Sequence, residues 1–184
     1  MIVEVLVATL VLAVGLIATV ATFDATRHEE NGSAALQAAS HAGSQAMEQV
    51  LADGYLGMGL ISAPAPSSDP LDPDFYVTAG SPGTYQWDQR SGASGSAATE
   101  PLVIDPGALV DPGPTAWGDA HYGGRIYRYV SWACDVAVAG AANCPGHHDF
   151  KRVTVAVTIS TPTTLRRPLV FQTLVSDPNA GPSA

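Results

Sequence analysis

Few residues of this 184-residue chain are placed for chemistry, and the first of them is Glu4. It is the one charged side chain between Met1 and Phe23, in MIVEVLVATLVLAVGLIATVATF. A carboxylate inside a segment apolar enough for lipid is costly, so its presence there signals a function. Glu4 lies one turn from the α-amino group of Met1. An acid near a helix start also meets free amides and the positive end of the helix dipole. Farther on, Cys144, His147, His148 and Asp149 gather metal-ligating types, but their spacing fits no common zinc pattern. Asp69, Asp72 and Asp74 bring three carboxylates close together, yet Pro70 and Pro73 interrupt them and no EF-hand pattern is present. No metal and no cofactor are therefore assigned. Ser, His and Asp are all available, but there is no nucleophile elbow, zinc-binding helix or phosphate loop. No catalytic residue is expected, and the chain is not read as an enzyme. Asn31-Gly32-Ser33 matches the glycosylation sequon by pattern.

The elements that must position these residues begin with the apolar run itself. As a helix, 23 residues reach about 35 Å, enough to cross a bilayer core. A secretory signal peptide is a poorer account, because no Lys or Arg precedes the run and the run is too long. The helix is expected to continue. Ala35, Leu36, Ala39, Ala42, Gly43, Ala46, Met47, Val50 and Leu51 recur with helical period, while Gln37, His41, Ser44, Gln45, Glu48 and Gln49 take the other faces. The small side chains of this stripe favour close approach of a sheet. Asn31-Gly32-Ser33 is expected to interrupt and kink the helix, with Ser33 capping a restart. Gly54 to Gly59 ends it. Residues 54–119 form a Gly/Pro/Asp-rich loop region with short strand-like pieces, Phe75 to Thr78 and Tyr85 to Asp88, around a Ser81-Pro82-Gly83 turn. The clearest strand is Arg152 to Ser160, with Val153, Val155, Val157 and Ile159 on one face and Thr154, Ala156, Thr158 and Ser160 on the other. That alternation predicts one buried and one wet face. Arg125 to Ala133 and Pro168 to Ser176 are its expected partners in an antiparallel meander, joined in part by Thr161 to Arg167. The fold class is α+β: a long N-terminal helix packed on a C-terminal antiparallel sheet. It divides into 1–53 (membrane or filament-core segment 1–23, amphipathic part 24–53), 54–119 and 120–184.

The run Val3-Glu4-Val5-Leu6-Val7-Ala8, continuing Thr9-Leu10-Val11-Leu12-Ala13-Val14-Gly15-Leu16, resembles the mature start of a type IV pilin. The resemblance covers roughly the first 25 residues closely. It implies a pilin-like fold and a subunit that sits in the cytoplasmic membrane before joining a cell-surface filament. It implies processing by a prepilin peptidase and N-methylation at Met1, and polymerisation with copies of itself through the pilus assembly machinery. Glu4 would then steer assembly beside the terminal amine of a neighbouring Met1. Two departures are visible: the acid stands fourth rather than fifth, and Met1 replaces the usual Phe, which leaves the cleavage point open. The family often loosens its helix in the fibre. Gly15 followed by Ile17, Thr19, Val20 and Thr22 makes the stretch to Phe23 the expected place here.

On this reading Cys134 and Cys144 lie outside the cell, where a disulfide across their nine intervening residues is expected to contribute about 2–3 kcal/mol. The net charge of −9 argues against specific nucleic-acid binding by the chain as a whole. Its distribution is uneven: residues 54–119 carry a net −7 and residues 120–184 a net +3, the latter through Arg125, Arg128, Lys151, Arg152, Arg166 and Arg167. The acidic middle and basic end can complement each other within or between subunits. Two further classes stay open. A minor pilin or type II secretion pseudopilin has the same opening, whereas a monomeric membrane-anchored extracellular binding domain would have no need of Glu4.

Overall fold

The computed structural model describes residues 2–80, 83–89, 98–119, 121–133, 150–161 and 167–178. Helix α1 runs unbroken over Ile2–Ala52. The interruption expected at Asn31-Gly32-Ser33 is absent. One glycine costs a helix only about 1 kcal/mol, and long apolar and alanine-rich stretches on both sides outweigh it. The stretch from Gly15 to Phe23 is also helical in the single chain. There the hydroxyls of Thr19 and Thr22 donate to the carbonyls of Gly15 and Ala18, both at 2.8 Å.

The two halves of α1 have different surroundings. From residue 2 to residue 31 every described side chain is exposed, Val, Leu and Ile included. This half is long and apolar enough to cross a membrane by length and composition. The second half buries Ala35, Ala39, Gly43, Ala46 and Val50, one stripe at i, i+4 and i+3 spacing. The polar set from Gln37 to Gln49 is exposed as the pattern requires. Leu36 and Leu51, expected within the stripe, face outward instead. Gly54, at φ +68°, breaks the helix in a conformation that a side chain would strain, and a single turn, α2 (Gly54–Gly57), follows.

Among the described residues seven strands follow: β1 (Val77–Thr78), β2 (Thr84–Gln86), β3 (Thr99–Pro101), β4 (Thr115–Gly118), β5 (Gly123–Ala133), β6 (Phe150–Thr161) and β7 (Leu169–Ser176). The last four form an antiparallel sheet in the order β4-β5-β6-β7. β5, β6 and β7 are the expected meander; β4 adds an edge that the sequence pattern did not reveal. In register, Ile126 and Val130 face Val157 and Val153, and Phe171 faces Val155. These side chains share the face that α1 covers, and Val153, Val155, Val157 and Ile159 are buried as the alternation predicted.

The opposite face is where expectation and structure part. Thr154 and Ala156, placed on a wet face, are 1% and 0% exposed. The middle of the chain covers them. Strands β1, β2 and β3 form a second antiparallel sheet whose buried side carries Val77, Tyr85 and Glu100. This layer lies against β5, with the Tyr85 and Tyr129 rings stacked 3.9 Å apart between centroids. Only Val77 and Thr78 of the first expected strand are extended. Pro73–Tyr76 is a single 3-10 turn, started by Pro73 and capped by Asp72, whose side chain accepts the N–H of Asp74. Leu60 and Val103 fix the end of the helix to this layer: Leu60 N–H donates to Val103 O, and Val103 N–H donates to Val130 O, both at 2.8 Å. The result is helix, sheet and covering layer, with apolar core on both sides of the central sheet.

Candidate functional site

Two regions stand out. The first is the exposed half of α1. Glu4 lies in its first turn, exposed, with no polar side-chain partner among the described residues. The surrounding Ile2, Val3, Val5, Leu6 and Val7 are equally unpartnered, each more than half exposed. So much apolar surface in one place marks a membrane or a protein–protein contact. Because the helix continues without a break into the domain core, whatever seizes this half also fixes the domain's orientation. Met1 lies outside the described residues. So do Cys134, Cys144, His147, His148 and Asp149, together with Arg166.

The second region is the seam where the acidic middle meets the basic end. Arg152 Nε reaches Glu100 at 3.1 Å, and Ser131 Oγ donates to the same carboxylate at 2.6 Å. The guanidinium also lies 3.9 Å over the Trp87 ring. Burial pushes the Glu100 carboxyl up from its ordinary value, and the Ser131 hydroxyl and Arg152 pull it back. Lys151 Nζ donates to Tyr55 O at 2.7 Å and Met58 O at 2.6 Å, which satisfies carbonyls where the helical region ends. Burial pushes Lys151 down, opposed by Asp105 and Asp177. The charge asymmetry thus closes partly within the chain.

The three closely spaced acids Asp69, Asp72 and Asp74 serve the fold. Asp69 Oδ1 accepts Leu71 N–H at 2.9 Å, Asp72 Oδ1 accepts Asp74 N–H at 3.0 Å, and Asp74 Oδ1 accepts the Tyr129 hydroxyl at 2.6 Å. Among the described residues no three His, Cys, Asp or Glu side chains are grouped to hold a metal. Burial raises Asp74, and it raises Tyr129 far beyond the ordinary phenol range, so Tyr129 is a neutral donor.

A groove of about 670 Å³ opens between α1 and the β4 edge. His41, Gln45 and Gln49 line it from the helix; Trp117, Tyr122 and Arg128 line it from the sheet. From sequence pattern alone, His41, Gln45 and Gln49 belong to polar helix faces and Arg128 to a basic C-terminal part, while Trp117 and Tyr122 have no assigned role. Their convergence depends on β4, whose four residues carry too short a pattern to be read. No model of a known protein family, no curated protein and no solved structure matches this chain.

Proposed function

We propose that this chain is the structural subunit of a type IV pilus, a pilin-like protein that polymerises through the exposed half of α1. One observation carries the reading: some 30 residues of solvent-exposed, largely apolar helix bear an acid in their first turn and run on into the packed domain. A simple anchor needs the apolar length but gives Glu4 no role. In a bundle of such helices, Glu4 would meet the terminal amine of an adjacent copy. Opposite charges attract strongly in a low-dielectric core, and the cost of desolvating them makes an unpaired acid unfavourable there. The apolar halves would occupy the filament axis, and the sheets with their covering layers would form its surface. The subunit would reside in the cytoplasmic membrane before assembly and do no chemistry itself.

The test is electron microscopy of material sheared from cells that express the full chain with its assembly machinery. Wild type should give fibres containing the chain. Glu4→Ala should leave it folded and membrane-inserted while fibres are lost or sharply reduced. Normal fibre yield from the mutant would overturn the role of Glu4. Absence of wild-type fibres, with the chain anchored singly, would favour the monomeric binding domain.

A further inference from the structure

Strand β7 closes one side of the central sheet, and among the described residues it pairs with β6 alone. Its outer row of N–H and C=O groups therefore faces outward as a template for another strand. Folds usually blunt such an edge with a charge, a proline, a bulge or a short length. The opposite edge follows that practice: β4 has four residues and is bounded by Pro114 and Asp119. β7 does not. Its eight residues, LVFQTLVS, hold no charge and no proline, and the ladder to β6 runs from Leu169 to Ser176 without a register shift.

The side chains alternate across this edge. Phe171 points toward α1, whereas Gln172 points toward the covering layer, where its Nε2 donates to Trp87 O at 2.8 Å. Val170 and Leu174 share the Gln172 face and are 38% and 54% exposed. A cleft of about 290 Å³ opens there, between Val170 and Gln172 on one side and Trp87, Asp88 and Gln89 on the other.

The strand is complementary to its own reverse. A two-fold axis through Gln172, perpendicular to the sheet, runs two copies antiparallel and keeps each face on its own side. Val170 then stands opposite Leu174 of the second copy, which brings that leucine to the mouth of the cleft. Gln172 meets its own copy on the axis. Arg167, just before the strand, stands opposite Asp177, just after it, and symmetry repeats this pair at the other end. Arg167 is exposed; Asp177 is half-buried and also acts on Lys151. Moving the axis to Phe171 or Thr173 sets Val170 or Leu174 against Gln172 and parts the opposite charges.

We propose that two copies of this chain join edge to edge through β7, in antiparallel register centred on Gln172, so that their central sheets become one. An unrelated extended segment would meet the same backbone row, but the apolar and charge pairing favours the second copy. The axis also reverses α1, which lies on the sheet, so the exposed helix halves leave the dimer in opposite directions. The contact does not depend on polymerisation, and within the filament reading it links oppositely directed fibres rather than neighbours in one fibre.

The experiment is sedimentation equilibrium of the full chain in density-matched detergent micelles. Wild type should show monomer and dimer with no larger species, because pairing consumes β7 and β4 is guarded. Leu174→Lys changes an exposed contact that occurs twice in the dimer, and should weaken pairing about tenfold while leaving thermal unfolding by circular dichroism unchanged. Arg167→Asp and Asp177→Arg should each weaken it several-fold, and combining the two should restore it. Leu109→Lys, at an exposed position near the β4 side of the domain, should have no effect. A monomer at every concentration, or open-ended association, overturns the proposal. A dimer indifferent to Leu174→Lys is held by α1 and overturns it as well. Failure of the combined charge exchange to restore pairing overturns the register.

Discussion

The ring of Phe171 on β7 occupies the space where a side chain on Gly43 of α1 would begin. A Cβ built at position 43 overlaps the ring edge, so helix and sheet approach as closely as they do only because that position is bare. Phe171 in turn packs beside Val155, its register partner in the strand that α1 crosses.

Gly43→Ala should therefore destabilise the domain. Overpacking costs about 1–3 kcal/mol, and the gain in helix propensity returns about 1 kcal/mol of it. In a Phe171→Ala background the clash is gone, and the same Gly43→Ala change should stabilise by about 0.5–1 kcal/mol. Thermal denaturation followed by circular dichroism reads both. A negative effect of equal size in the two backgrounds would show that the ring is not the obstacle.

Asp74 sets a pH dependence. Burial raises its carboxyl above the ordinary aspartate value of 3.8, opposed by the Tyr129 hydroxyl. The folded state therefore binds this proton more tightly than the unfolded state. The resulting stability is fully present below the unfolded value and is lost as pH rises through the folded one. Asp74→Asn keeps an oxygen for Tyr129 and removes the charge. It should raise the urea midpoint near neutral pH, and the difference from wild type should shrink as pH falls toward 3.8. An unchanged gap across that range would refute the assignment.

Arg152→Met should cost about 3–5 kcal/mol, because it leaves Glu100 buried without its cation. The double variant Glu100→Gln with Arg152→Met should recover much of that loss, since Gln can still accept from Ser131. Denaturant midpoints of the four proteins in this cycle give the coupling. Purely additive effects would mean that the pair contributes nothing specific.

The Cys134–Cys144 bridge is expected to close the connection between β5 and β6. The intact chain should weigh two hydrogens less than its dithiol form, and reduction should lower stability by about 2–3 kcal/mol. Quantitative alkylation of both cysteines without reductant would exclude the bridge.

What the sequence determined by itself was whatever rests on local periodicity. The apolar run to Phe23, the small-residue stripe from Ala35 to Val50 and the alternating valines of β6 each repeat often enough to specify a helix or strand and the side it buries. Three sheet strands and the helix end at Gly54 follow from the same logic. The interruption at Gly32 was misread because one glycine is a small local penalty, and cooperative helix formation on both sides overrides it.

Only tertiary structure decided the fate of residues 60–119. Their strands are two to four residues long, below what alternation can reveal, and they are stabilised by what they cover. Thr154 and Ala156 look like a solvent face until Tyr85, Glu100 and their neighbours are laid over it. The groove follows the same rule. Gln45, Trp117 and Arg128 lie far apart in the chain, and no spacing announces that β4 will bring them together. Local pattern selects an element and its inner face; long-range burial selects what that face meets, and the groove between helix and sheet exists only after that second choice.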